Sequence, residues 1–224
     1  MSFGDKKLSE IAVSVPGSTS LLRKYDLDFC CGGSDTLANA AAEKGLNLAE
    51  IETRLTELQN SKAENPEEYW VNATYPEIID HILVRYHQRH REQLQELIVL
   101  ADRVESVHDD REDCPMGVAA ELRNVYEDLS NHMMKEEHVL FPMIKAGNYM
   151  MAQMPIRMME MEHAEHGEHL DVLKSLTNNM TPPADACNTW RALYSGIQEF
   201  ADDLMMHIHR ENNILFPRVI AENH

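Results

Sequence analysis

Eleven residues of this chain occur twice in nearly the same form. Residues 132–142 read His-Met-Met-Lys-Glu-Glu-His-Val-Leu-Phe-Pro, and residues 207–217 read His-Ile-His-Arg-Glu-Asn-Asn-Ile-Leu-Phe-Pro. Both keep His-x3-Glu, then Leu-Phe-Pro at the same offset. Residues four apart on a helix lie about 40° apart around its axis, so His132 projects beside Glu136 and His207 beside Glu211. An imidazole and a carboxylate at that spacing make a metal-binding pair, and two copies suggest a site for two metals.

The duplication reaches further back. His87-x2-His90-x-Glu92-x-Leu94 reappears as His163-x2-His166-x-Glu168-x-Leu170. The repeat is therefore a helical hairpin, and two hairpins close into a four-helix bundle with the sites on its inner faces.

Apolar periodicity agrees. From Thr74 onward one stripe runs Ile79, Ile82, Tyr86, His90, Leu94, Leu97, Ala101 and Val104, with His87 beside it. A second helix, placed from Pro115, carries Val118, Leu122, Val125, Leu129, His132, Glu136 and Val139. A third, placed from Pro155, carries Ile156, Met159, His163, Leu170 and Leu173. The fourth carries Trp190, Leu193, Ile197, Phe200, Leu204, His207, Glu211 and Ile214. Steps of three and four mark an inward helical face. Each Phe-Pro is expected to kink or end its helix.

Before the bundle, residues 1–59 read as a small helical domain. Ser-Thr-Ser-Leu-Leu-Arg-Lys after Pro16 starts one helix, and Asp35 to Lys44 forms another that Gly45 stops. A third runs from Leu48 to Leu58, capped from Asn47. Residues 60–73, polar and marked by Pro66, read as a linker, and residues 74–224 as the bundle. A domain of some 60 residues buries little core, so it is expected to dock or to dimerise.

Charge narrows the partners. A formal net charge of -18 disfavours nucleic acid and anionic membrane. No apolar run approaches a membrane span and no signal-peptide pattern is present, so a cytoplasmic location is expected. Four cysteines, two of them adjacent, make no secreted disulfide framework.

Glu136 and Glu211 stand where the stripes otherwise hold Leu, Val and Ile. A buried carboxylate without a cation costs on the order of several kcal/mol, and no Lys or Arg lies on those stripes. A bound metal removes that cost. His87, His132, Glu136, His163, His207 and Glu211 are the candidate ligands, with each Glu able to bridge two ions. Six converging ligands exceed the four of a structural zinc site. Nitrogen and oxygen donors admit iron, manganese or zinc, and the His-rich set differs from the carboxylate-rich di-iron bundles.

With these residues in view, the stretch 75–220 resembles the haemerythrin-like di-iron domain. In that family's oxygen carriers a second His follows the helix-three ligand by one turn, where this chain has Gly167. They also use His-x4-Asp on the fourth helix, where this chain has His-x3-Glu and Asn212. One ligand fewer opens a coordination position and argues against simple oxygen storage.

The front segment Tyr25-Asp-Leu-Asp-Phe-Cys30-Cys31-Gly32-Gly33 resembles the short cysteine-bearing domain of the iron–sulfur cluster repair proteins, the repair of iron centres family. The resemblance implies an all-α chain: a haemerythrin-like four-helix bundle, built from a duplicated helical hairpin, preceded by a small helical N-terminal domain. It also implies two iron ions, oxo- or hydroxo-bridged, in a cytoplasmic homodimer. Its partners would be iron–sulfur proteins damaged by nitrosative or oxidative stress, with nitric oxide or oxygen as small ligands.

Cys30 and Cys31 are expected to act as thiolate ligands, redox thiols or carriers of iron. Gly32 and Gly33 are expected to supply positive φ, turning backbone N–H groups toward a thiolate or an anion. Cys114 and Cys187 are expected to be inert. His90, His138, His166 and His209 are assigned to outer or surface positions, and His108 has no assigned role. Three functions compete: cluster repair by iron donation, nitric oxide reduction at the open face, and sensing of nitric oxide or oxygen.

Overall fold

The computed structural model describes residues 2–61 and 63–222; Met1, Lys62, Asn223 and His224 lie outside the described residues. The chain is all-α as expected. Among the described residues the only β pairing is an isolated antiparallel bridge between Lys7 and Thr36. Two compact units divide the chain, residues 1–78 with 206–224, and residues 79–205.

The unit of residues 79–205 is the four-helix bundle. Helix α6 (Tyr75–Ile82) passes through a wide π turn, Leu83–His87, into α7 (Gln88–Val107). Helix α8 (Val118–Lys135) passes through a second, Glu136–Leu140, into α9 (Phe141–Lys145). Helices α10 (Tyr149–Leu176) and α11 (Asn188–Arg210) complete the set. The stripes read from periodicity are buried along all four, at about 1.5–3 kcal/mol for each large aliphatic or aromatic side chain.

Val139 is the exception. It is 44 % exposed, and Leu140 is buried in its place. The π turn adds one residue to the helical circuit, so the inward face resumes one position later. Phe-Pro does not end either helix. In the wide turn the Phe141 N–H donates to the Glu136 carbonyl, five residues back, and Phe216 donates to Glu211 in the same way. Pro142 and Pro217 then sit in the first turn of the following helices, where a missing N–H costs little.

Helix α10 starts at Tyr149, six residues before the expected Pro155. Pro155 lies inside it on a partly exposed side, and the carbonyl it leaves unpaired belongs to Met151, a solvent-exposed residue. Helix α8 opens at Val118, after a Gly117 at φ 101°.

In the other unit, α1 (Leu8–Ser14), α2 (Ser18–Lys24), α3 (Leu37–Glu43) and α4 (Leu48–Asn60) surround Ile11, Leu22, Leu27, Phe29, Leu37, Ile51 and Leu55, all buried. Helix α1 went unread in the sequence; α2 to α4 fall where expected, with Thr36 and Asn47 accepting at the N-caps and Gly45 at φ +62° after α3. The segment read as a linker holds a helix, α5 (Pro66–Asn72). Its Glu67 is buried and pairs with the Arg210 guanidinium, which stacks over the Trp70 ring. The same unit includes the third π turn, Glu211–Leu215, and α12 (Phe216–Ala221).

Candidate metal centre

Two imidazoles close on one carboxylate inside the bundle. His87 Nε2 is 3.3 Å and His132 Nε2 is 3.4 Å from the same oxygen of Glu136, Oε2. His163 Nε2 lies 3.2 Å from His132 Nε2. All four residues are buried, and donor atoms of His132, Glu136 and His163 lie within 4.8 Å of one another. In the unit that contains residues 206–224, His207 Nε2 stands 3.3 Å from Glu211 Oε1, also fully buried. The two His-x3-Glu copies thus form the same close pair.

The outer faces of two imidazoles decide what the inner faces carry. His87 Nδ1 meets the Glu137 carboxylate at 2.8 Å, and His132 Nδ1 meets Glu162 at 3.0 Å. A carboxylate only accepts, so each Nδ1 holds a proton, and in the neutral ring Nε2 is the nitrogen whose lone pair faces Glu136. Neither oxygen of Glu136 receives a hydrogen bond among the described residues. Electron pairs from two imidazoles and a carboxylate therefore converge in a dry interior, an arrangement that a cation stabilises and that its absence penalises. The donor set fits an iron ion.

Glu137 and Glu162 were missed in the sequence. The hydrogen bond from His87, aided by Arg91, holds the Glu137 carboxyl near 2 against the pull of burial; the one from His132, aided by Lys135, does the same for Glu162. Both remain ionised at neutral pH, which orients the ligand rings and raises their basicity. Phe141 of the repeated Leu-Phe-Pro stacks on His87 with ring centroids 5.7 Å apart.

The remaining histidines divide. His166 is buried edge-on against His132, and His90 is buried between Tyr86 and Phe200. His138 is exposed as expected, but His209 is wholly buried, edge-on to Phe29. Cys187 is exposed, and hydrogen bonds from the Trp190 backbone and from His108, 3.3 Å away, draw its thiol below the ordinary value.

Cys30 and Cys31 form no disulfide. The Gly32 and Gly33 expectation fails for φ, and the anion that the backbone N–H groups meet is the chain's own Asp28 carboxylate. Neither glycine has positive φ, and the backbone N–H groups of Cys30, Cys31 and Gly32 already donate to the Asp28 carboxylate at 3.0, 2.9 and 2.8 Å. Glycine is needed for closeness instead: a Cβ on Gly33 would lie 2.5 Å from the Phe29 carbonyl oxygen. The hydrogen bond with Cys31, then burial and the nearby negative charges, push the Cys30 thiol well up.

No helix among the described residues is long and apolar enough to cross a membrane. Residues 78–219 match the Hemerythrin HHE cation binding domain, and residues 4–59 match a domain of unknown function. A "Probable iron-sulfur cluster repair protein" of Haemophilus influenzae is 67% identical, across 99% of this chain and 100% of its own length. The "Iron-sulfur cluster repair protein YtfE" of Musicola paradisiaca is 54% identical over 98% of each chain, and that of Escherichia coli O81 is 55% identical over 99% of each. Buried His–Glu pairs in a duplicated hairpin, behind a small dithiol-bearing domain, thus coincide with full-length similarity, and the chain belongs to the haemerythrin-type iron–sulfur cluster repair proteins.

Proposed function

We propose that this protein repairs iron–sulfur clusters damaged by nitric oxide or oxidants, supplying iron from a labile centre of two ions. His87, His132, Glu136, His163, His207 and Glu211 hold those ions, the two carboxylates bridging with an oxo or hydroxo group. The reading is supported by the recurrence of one His–Glu geometry in both copies of the hairpin. When bound, the irons supply redox capacity and an open position for a diatomic ligand. Glu137 and Glu162 keep the imidazole lone pairs aimed inward, and the closed aliphatic stripe keeps bulk water from competing for them.

The observation that carries the repair reading is the donor chemistry. Nitrogen and oxygen ligands hold ferrous iron less tightly than the sulfide and thiolate of a cluster, so transfer runs toward the client. Cys30 and Cys31 assist as thiols that take iron in transit. The functional division is the small domain of residues 1–59, the connector 60–73 and the metal-binding bundle 74–224, working in the cytoplasm.

A homodimer is supported by the outer face of α10, where Met150, Met151, Met154, Met158 and Met161 are half or more exposed along one side. Sedimentation of Met154→Glu/Met158→Glu as a monomer, against a dimeric parent, bears that out; an unchanged dimer places the interface elsewhere.

The central test mixes iron-loaded protein with an Fe–S dehydratase inactivated by nitric oxide. Recovery of client activity with matching loss of iron from the donor is expected, and Glu136→Ala should give none. If client activity stays flat while nitrous oxide accumulates over many turnovers with a reductant, the protein is a nitric oxide reductase.

A further inference from the structure

We propose that Asp28, Cys30 and Cys31 form a second metal site, of sulfur and oxygen donors, that takes one thiophilic divalent cation independently of the His/Glu centre. The three residues offer donor atoms within 4.8 Å of one another.

Geometry carries the proposal. The Cys30 and Cys31 sulfurs stand 3.7 Å apart. Two thiolates bound to a tetrahedral ion, at about 2.3 Å each, lie about 3.8 Å apart. The thiols are therefore already at the bite of a shared ion. Asp28 Oδ1 lies 3.2 Å from the Cys30 sulfur and supplies a third donor on the same side. Cys30 is 6 % exposed and Cys31 partly so, which leaves one side of the pair open to solvent and a fourth position to water.

The loop is held in this form before any ion arrives. Three backbone N–H groups clasp the Asp28 carboxylate, and Gly33 passes too near the Phe29 carbonyl for a Cβ while Gly32 runs close against the Asp28 carbonyl. From outside, the Asn212 amide donates to the Cys30 carbonyl at 2.9 Å, and Asn213 donates to the Phe29 carbonyl at 2.8 Å. A loop fixed by five hydrogen bonds pays little ordering entropy on binding. Those asparagines directly follow Glu211, so the dithiol loop is anchored to the residues next to a proposed iron ligand.

Binding exchanges two thiol protons for one M²⁺, forming two metal–sulfur bonds without electron transfer. Ferrous iron, zinc and cadmium all satisfy this chemistry. That the site serves as a halt for iron on its way to a client rests on the repair reading; that it binds an ion does not.

The test titrates Cd²⁺ into the full-length, iron-loaded, reduced protein. One equivalent should bind with a sulfur-to-cadmium absorption in the ultraviolet, releasing about two protons while the iron content stays constant. Cys30→Ser/Cys31→Ser should abolish the band yet retain iron and helical circular dichroism, and Asp28→Asn should weaken binding at least tenfold. Cys187→Ala should leave the band intact. The proposal is overturned if the band survives the double serine variant, if it vanishes with Cys187, or if cadmium enters only by expelling iron. A positive titration with no repair defect in the double variant keeps the site and removes its role in transit.

Discussion

The two copies of the hairpin agree at the ligands and part company one residue later. After Glu136 comes Glu137, whose carboxylate grips the back of His87 and the Arg91 guanidinium. After Glu211 comes Asn212, whose amide holds the Cys30 carbonyl. His132 and Glu136 stand 3.4 Å apart, His207 and Glu211 3.3 Å, so the His–Glu geometry is the same in the two copies while the outward neighbour differs. One copy spends that position on stiffening a ligand. The other spends it on fastening a thiol loop. A duplicated scaffold can thus keep one chemistry and specialise its outer layer.

The comparison breaks most visibly at the shared ligands. Glu136→Ala should cost at least half of the bound iron, read by metal analysis. Complete chelation of the parent should lower its melting temperature by about 5–10 °C, the scale expected for a ligand present at a hundred times its dissociation constant. Retention of full iron by Glu136→Ala would show that the copies are not equivalent at the metal.

Changes behind the ligands should be smaller and should separate the copies. Glu162→Gln leaves His132 in place but removes its anionic partner, so iron affinity should fall about 10–100-fold in a competition with a chelator. An unchanged affinity would mean that packing, not the carboxylate, orients the ring. Asn212→Ala should leave that affinity alone and cost about 1 kcal/mol of stability from one lost hydrogen bond. Faster hydrogen exchange confined to residues 28–33 is the accompanying sign; iron loss instead would tie the loop to the metal.

Much of this was legible because it is periodic. The buried stripes, the four bundle helices and the cap at Asn47 all follow from side-chain spacing and turn chemistry along one helix, whereas α1 and the helix within residues 60–73 did not show. Glu162 was not legible, since it reaches His132 from another helix, thirty positions away, and reads in sequence as one more charge on a solvated face. Val139 misled because periodicity assumes an unbroken α register. Pro155 misled because proline is commoner at a helix start than inside, yet an exposed carbonyl makes the interior position tolerable. Gly33 was read as conformational freedom when the loop required absence of a side chain.

The wide turns at Glu136 and Glu211 also carry history. A π turn amounts to one residue added to an α-helix, and losing it would rotate everything downstream by about 100°. Both copies hold the extra residue at the same offset from the same glutamate, as expected of a feature that a hairpin carried before doubling. The turn at Leu83–His87 has no counterpart in α10. The proline that follows each of the two matched turns cannot donate to the carbonyl four residues behind it, so shedding the insertion would not recover an α bond there. That makes the insertion hard to reverse, and it keeps each of the paired glutamates at the start of the irregular part of its helix.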